Sequence, residues 1–101
     1  MSIDSLFTKI YNFLKYAEPR HIIAETVIYK AFQENCWISQ DDLRPVVEQA
    51  ISLVMSNCAS DSPKLAKFED VLTRFNGAYD NVRSLRDLGA LDLNLEKPVQ
   101  K

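Results

Sequence analysis

The side chains able to do chemistry are few. The chain of 101 residues has one histidine, His21, and two cysteines, Cys36 and Cys58, so groups that titrate near neutrality or hold a soft metal are scarce. No Cys-x-x-Cys, His-x-x-x-His, Gly-rich phosphate loop or Gly-x-Ser-x-Gly occurs, and each of those spacings is what its chemistry requires. The acidic pairs Asp41-Asp42 and Glu69-Asp70 are adjacent in sequence. On a helix such neighbours point about 100° apart rather than converging on one substrate, so helix capping and solvation are their expected roles. The sequence therefore predicts a non-enzymatic protein with no catalytic residue, no cofactor and no metal.

The cysteines are expected to stay reduced. They flank one predicted helix, which sets them roughly 20 Å apart, whereas a disulfide needs Cα atoms within about 7 Å. The net charge is −2, from 12 basic and 14 acidic residues, so the long-range positive field that gathers phosphate backbones is missing. The opening MSIDSLFTKIYNFLKY carries an early acid and interspersed lysines, unlike a secretory signal. No apolar run reaches the eighteen or so residues of a membrane span. A cytoplasmic location is the expectation.

Two glycines and four prolines punctuate the chain, too sparsely for a β-sandwich or barrel of this size. Apolar residues instead recur at steps of three and four, which predicts an all-α, four-helix bundle-like single domain over 1–101. The first helix covers about 3–17, with Ser2 as its cap and Pro19 beyond its end. The second covers about 20–35, with Pro19 in its first turn and Asn35 as a left-handed stop. β-Branched and aromatic residues over His21 to Tyr29 keep a strand open there. For the third, about 42–57, Asp42 rather than Ser39 is the expected cap, because Pro45 then falls in the permissive first turn.

Ser62-Pro63 starts the fourth helix, about 63–88, which Gly89 closes. Leu65, Phe68, Leu72, Phe75, Tyr79 and Val82 form a heptad-like seam along it, widened by Val71, Ala78 and Leu85. Asn76-Gly77 is a turn signal inside that run, but the apolar phase does not shift across it, so one uninterrupted helix is favoured. In the tail, 90–101, Leu91, Leu93 and Leu95 alternate with polar residues, which suggests an extended segment or edge strand.

The stretch Val27-Ile28-Tyr29-Lys30-Ala31-Phe32-Gln33-Glu34-Asn35-Cys36-Trp37-Ile38-Ser39-Gln40-Asp41-Asp42-Leu43 resembles the opening of winged-helix domains, and Leu85-Arg86-Asp87-Leu88-Gly89-Ala90-Leu91 looks like the junction between a recognition helix and its wing. Together these cover about a quarter of the chain, and the resemblance implies a DNA-binding regulator. The span from Ser39 to Gly89 is longer than that family's pair of short helices. Lys64, Lys67, Arg74, Arg83 and Arg86 are also dispersed among Glu69, Asp70, Asp80 and Asp87, a mixed surface rather than a basic face. Bacteriocin immunity proteins are similar in size and four-helix architecture, which implies neutralisation of a protein or peptide target.

The wider functional signal is apolar surface beyond what one bundle needs. The expectation is a protein-binding or regulatory module that self-associates, as a dimer or other homo-oligomer, through its last helix. Leu72, Phe75, Tyr79 and Val82 are the expected interface, joined by Ile22 and Tyr29 on the far side of the second helix and by Trp37 as an aromatic anchor.

Overall fold

The computed structural model describes residues 3–93, of which the helices are α1 (Ile3–Tyr16), α2 (Ala24–Glu34), α3 (Gln40–Ser56) and α4 (Lys64–Asp87), with a short 3-10 turn at Pro19–His21. No strand occurs among the described residues. The all-α reading holds, and His21 to Tyr29 forms no strand: Ile23 alone is extended, as the cap of α2. Ser2, read as the first cap, and the tail from Asn94 onward lie outside the described residues.

The break before α2 has a local cause. Pro19 opens a 3-10 turn, in which the amides of His21 and Ile22 donate to Glu18 O and Pro19 O at 2.9 and 3.1 Å. Ile22 follows at φ −88°, ψ 86°, close to an inverse γ-turn, and the Ile23 amide donates to His21 O. The second helix therefore begins at Ala24 rather than near residue 20. Because Ile22 is not in helical register, it drops into the core at 1% exposure and leaves Ile23 outside. Asn35 also differs from expectation: it ends α2 in an extended conformation, φ −144°. Its Oδ1 accepts from the Trp37 amide at 3.3 Å, an Asx turn that makes a left-handed backbone unnecessary.

α3 begins earlier than Pro45 suggested. Ser39 is its cap, with Oγ accepting from the Asp42 amide at 3.1 Å, so Pro45 stands inside the helix. A proline there removes one backbone bond, here to Asp41 O. Asp41 and Pro45 both face solvent, where water takes over that carbonyl, while Leu43 in the first turn is fully buried. α4 starts as expected, with Ser62 Oγ accepting from the Lys64 amide at 3.2 Å. It runs through Asn76-Gly77 without interruption.

Its end is a Schellman motif. The Ala90 amide donates to Leu85 O at 2.9 Å and the Gly89 amide to Arg86 O at 3.0 Å, with Gly89 at φ 72°. Beyond it the chain turns back along α2, where Tyr29 Oη donates to Asp92 O at 3.2 Å and Leu91 and Leu93 pack against the core.

Cross-links give the order in space. α1 and α2 are antiparallel, joined by Lys9–Glu34 at 3.5 Å and by Lys30 over the Phe13 ring. α2 and α4 run parallel, from Glu25–Arg74 at 2.8 Å through the edge-to-face Phe32–Tyr79 pair to Arg86 on Cys36 O. α4 packs on α2 and α3, and α1 on the same two helices. Between them lies one core that includes Leu6, Ile10, Leu14, Ile28, Phe32, Leu43, Val47, Ile51, Phe68 and Phe75, each at 1% exposure or less. The wide apolar face of α4 is explained by its two neighbours within the chain.

The two glycines are expected to respond in opposite ways. Gly77 is helical and a Cβ there meets nothing within 4 Å, so Gly77→Ala should stabilise by about 1 kcal/mol through helix propensity. At Gly89 the positive φ strains any Cβ, and Gly89→Ala should cost about 1–2 kcal/mol. Urea denaturation of the two variants measures both.

Candidate functional site

The residues expected at an interface fall mostly inside the fold. Phe75 and Ile22 are at 0% and 1% exposure, and Val82 and Tyr79 at 3% and 5%. These four are core residues of the single chain and are not available as an outer face. Leu72 is half-buried against the same core. Tyr29 is half-buried and holds the returning chain through Asp92 O. Trp37 is half-buried under the Arg86 guanidinium, 4.5 Å from its ring.

Around Trp37 the structure assembles a group that the helical pattern alone left unread. The connector between α2 and α3, Asn35 to Ser39, carries Cys36 and Ile38 into the interior at 8% and 4% exposure. Buried backbone carbonyls need donors, and α4 supplies two. Tyr79 Oη donates to Ile38 O at 2.6 Å, and Arg86 Nη1 to Cys36 O at 2.8 Å. Arg86 is only 7% exposed. Its guanidinium lies 5.1 Å from the Phe32 ring as well as over Trp37, and Asp87 Oδ1 accepts from its Nε at 3.1 Å.

Arg86 thus stands in the core, not among the solvent-facing cations where the winged-helix resemblance set it. A signal was present: it occupies the position after Val82 in the three-four series of the α4 seam. The same surroundings act on Cys36. Burial pushes its thiol above the usual range, Arg86 works against that rise and Asp87 adds to it.

The remaining cations of α4 are largely engaged. Arg74 pairs with Glu25 at 2.8 Å and Asp70 at 3.7 Å, and Arg83 with Asp80 and Asp87 at 3.8 and 3.7 Å. Lys64 Nζ donates to Lys15 O and Leu14 O at 2.7 and 3.2 Å, which closes the C-terminus of α1. Among the described residues no strand forms a wing after α4, and the Leu85–Leu91 segment is a helix cap.

Besides the singly exposed Tyr16, Ile23 and Leu53, two surface features stand out. One is the closing turn of α4, where Leu85 and Leu88 are 43% and 80% exposed. The other is a cleft of about 320 Å³ lined by Tyr11, Lys15, Val54, Asn57, Cys58 and Lys64. His21 is exposed on the 3-10 turn, and among the described residues no three His, Cys, Asp or Glu side chains gather as a metal site. No helix among the described residues is long and apolar enough to cross a membrane.

The chain matches no protein-family model, no curated protein and no solved structure.

Removing a donor from the connector leaves a buried carbonyl unsatisfied, so Tyr79→Phe should cost about 1–3 kcal/mol. Arg86→Met should cost about 2–4 kcal/mol, and Arg86→Lys should recover little of it, because an ammonium cannot stack between two rings and reach the carbonyl as the planar guanidinium does. Equilibrium unfolding in urea measures each loss. For the thiols, iodoacetamide on the folded protein at pH 8 should modify Cys58 and spare Cys36, as read by peptide mass spectrometry. The raised Cys36 pKa contributes stability below the thiol's unfolded pKa, and that contribution should fade as pH climbs through the higher folded value.

Proposed function

We propose that the chain is a non-enzymatic protein-binding module that self-associates through the end of α4, two copies meeting at Leu85 and Leu88. The exposure of these two leucines carries the reading. Phe68, Val71, Phe75, Tyr79 and Val82 on the same helix are buried, so the apolar surface of α4 that is free to meet another molecule is concentrated at its last turn. Water against a large exposed leucine is unfavourable by about 1.5–3 kcal/mol relative to full burial.

A second copy is the favoured occupant because it brings an identical apolar patch to the contact. Arg83 and Asp87 lie on another side of the same helix and pair with each other at 3.7 Å, which leaves the leucine patch uncharged. A two-fold axis that brings Leu88 of one copy against Leu85 of the other would bury the same patch on both, as an isologous contact requires. Two leucines a side supply far less than the roughly 1,200 Å² of a standard interface, so the dimer is weak and concentration-dependent. The surface cations that would serve nucleic acid already face carboxylates, so DNA is not part of the proposal. The proposal places the chain in the cytoplasm, where free Cys36 and Cys58 stay reduced.

Sedimentation velocity from about 10 μM to about 1 mM, the range in which a contact of this size associates, should show a rising average mass. Leu88→Asp should hold the protein as a monomer throughout with its unfolding midpoint unchanged. A wild-type chain still monomeric at the top of that range overturns the proposal.

A further inference from the structure

We propose that the cleft between the C-terminal ends of α1 and α3 and the start of α4 is a binding site for a small organic carboxylate with a compact apolar body. Its walls combine the two halves of such a ligand. Val54, 5% exposed, and the half-buried Cys58 offer an apolar surface, while Lys15, Lys64, Tyr11 and Asn57 bring polar groups to the same space. At about 320 Å³ it falls at the small end of ligand sites, which run from about 300 to 1,000 Å³.

The sign of the charge follows from what is already satisfied. Two helix C-termini meet here, and their carbonyls would by themselves favour a cation. They are engaged by the protein: Leu14 O and Lys15 O accept from Lys64 Nζ, Leu53 O from Ser56 Oγ and Asn57 Nδ2, and Val54 O and Met55 O from the amides of Asn57 and Cys58. Among the described residues no carboxylate lies within 4 Å of either ammonium. Lys15 Nζ is steadied between two rings, 5.7 Å from the centroid of Tyr11 and 5.3 Å from that of Tyr16.

Tyr11 Oη has no hydrogen bond within the described protein and is free to donate. The cleft therefore presents ammonium and hydroxyl donors beside an apolar wall, which matches a carboxylate head on a short hydrocarbon body.

The test is a titration of the ¹⁵N-labelled full chain with sodium hexanoate at pH 7, read by amide chemical shifts, with hexan-1-ol and sodium phosphate as separate arms. Hexanoate should give saturable shifts confined to the amides around Lys15, Asn57, Cys58 and Lys64, with Kd about 1 mM, as expected for a ligand of this size. Hexan-1-ol and phosphate should each be at least tenfold weaker. Lys15→Met keeps the aliphatic stem and breaks no ion pair, and should weaken hexanoate about fivefold or more; Tyr11→Phe should weaken it about twofold. Absence of saturation, equal binding of the alcohol or of phosphate, or unchanged affinity in Lys15→Met would each overturn the site. None of these readouts depends on whether the chain dimerises through Leu88.

Discussion

The structure depends on a stretch of five residues that is not helical. The α2–α3 connector takes Cys36 and Ile38 into the interior, and a backbone that leaves its helices there gives up its own hydrogen bonds. An unsatisfied buried carbonyl costs about 1–3 kcal/mol, so a connector this apolar is tolerable only if something else donates to it. Tyr79 and Arg86, two turns apart on α4, do so at 2.6 and 2.8 Å. These two bonds fix the axial position of α4 against α2. With Glu25–Arg74 farther back, they make the α2–α4 pair parallel, although the helices are not consecutive in the chain.

A guanidinium in that place looks costly, since taking a cation out of water carries a penalty of several kcal/mol. The surroundings offset it on every side. The Phe32 and Trp37 rings take the two contacts a flat cation can make. The Cys36 carbonyl and the Asp87 carboxylate take its hydrogens, and Asp87 itself reaches solvent. The charge is therefore neutralised at the rim, while the rings and the carbonyl lie deeper. This division explains why one arginine in the α4 seam is compatible with a core otherwise made of aliphatic and aromatic side chains.

Much of the fold could be read from the order of residues, because its helices obey the three-four rule. The last helix was continuous across Asn76-Gly77, as its unshifted phase indicated, and Gly89 closed it in the expected left-handed conformation. The misreadings share a physical origin. Ile22 was placed on a helix, and so on an outer face, because nothing in the local pattern announces that a proline-started 3-10 turn will end in a γ-turn and rotate the next side chain inward. Pro45 argued for a late start to α3, but a local penalty at an exposed carbonyl was outweighed by the Ser39 cap and by Leu43 in the core. Gln40 and Arg44 add two further bonds, both to Asn76 Oδ1 across to α4. Arg86 reads as a surface cation by its charge and as a core residue by its position in the seam.

The candidate sites were least legible for a related reason. Helical periodicity identifies which residues are apolar on one face but not how many neighbours that face will meet. For α4 the number was two, and Phe75, Tyr79 and Val82, which would be exposed on a helix with one neighbour, became interior. What remains outside is set by where the helices end. Leu85 and Leu88 stay exposed at the turn where α4 closes, because Arg86 is the side chain there that is turned inward. The cleft exists because α1 and α3 finish side by side and α4 begins between them, with Lys64 drawn to the terminal carbonyls of α1. Neither feature has a sequence motif, because each is produced by helix lengths and by the register that Tyr79 and Arg86 impose.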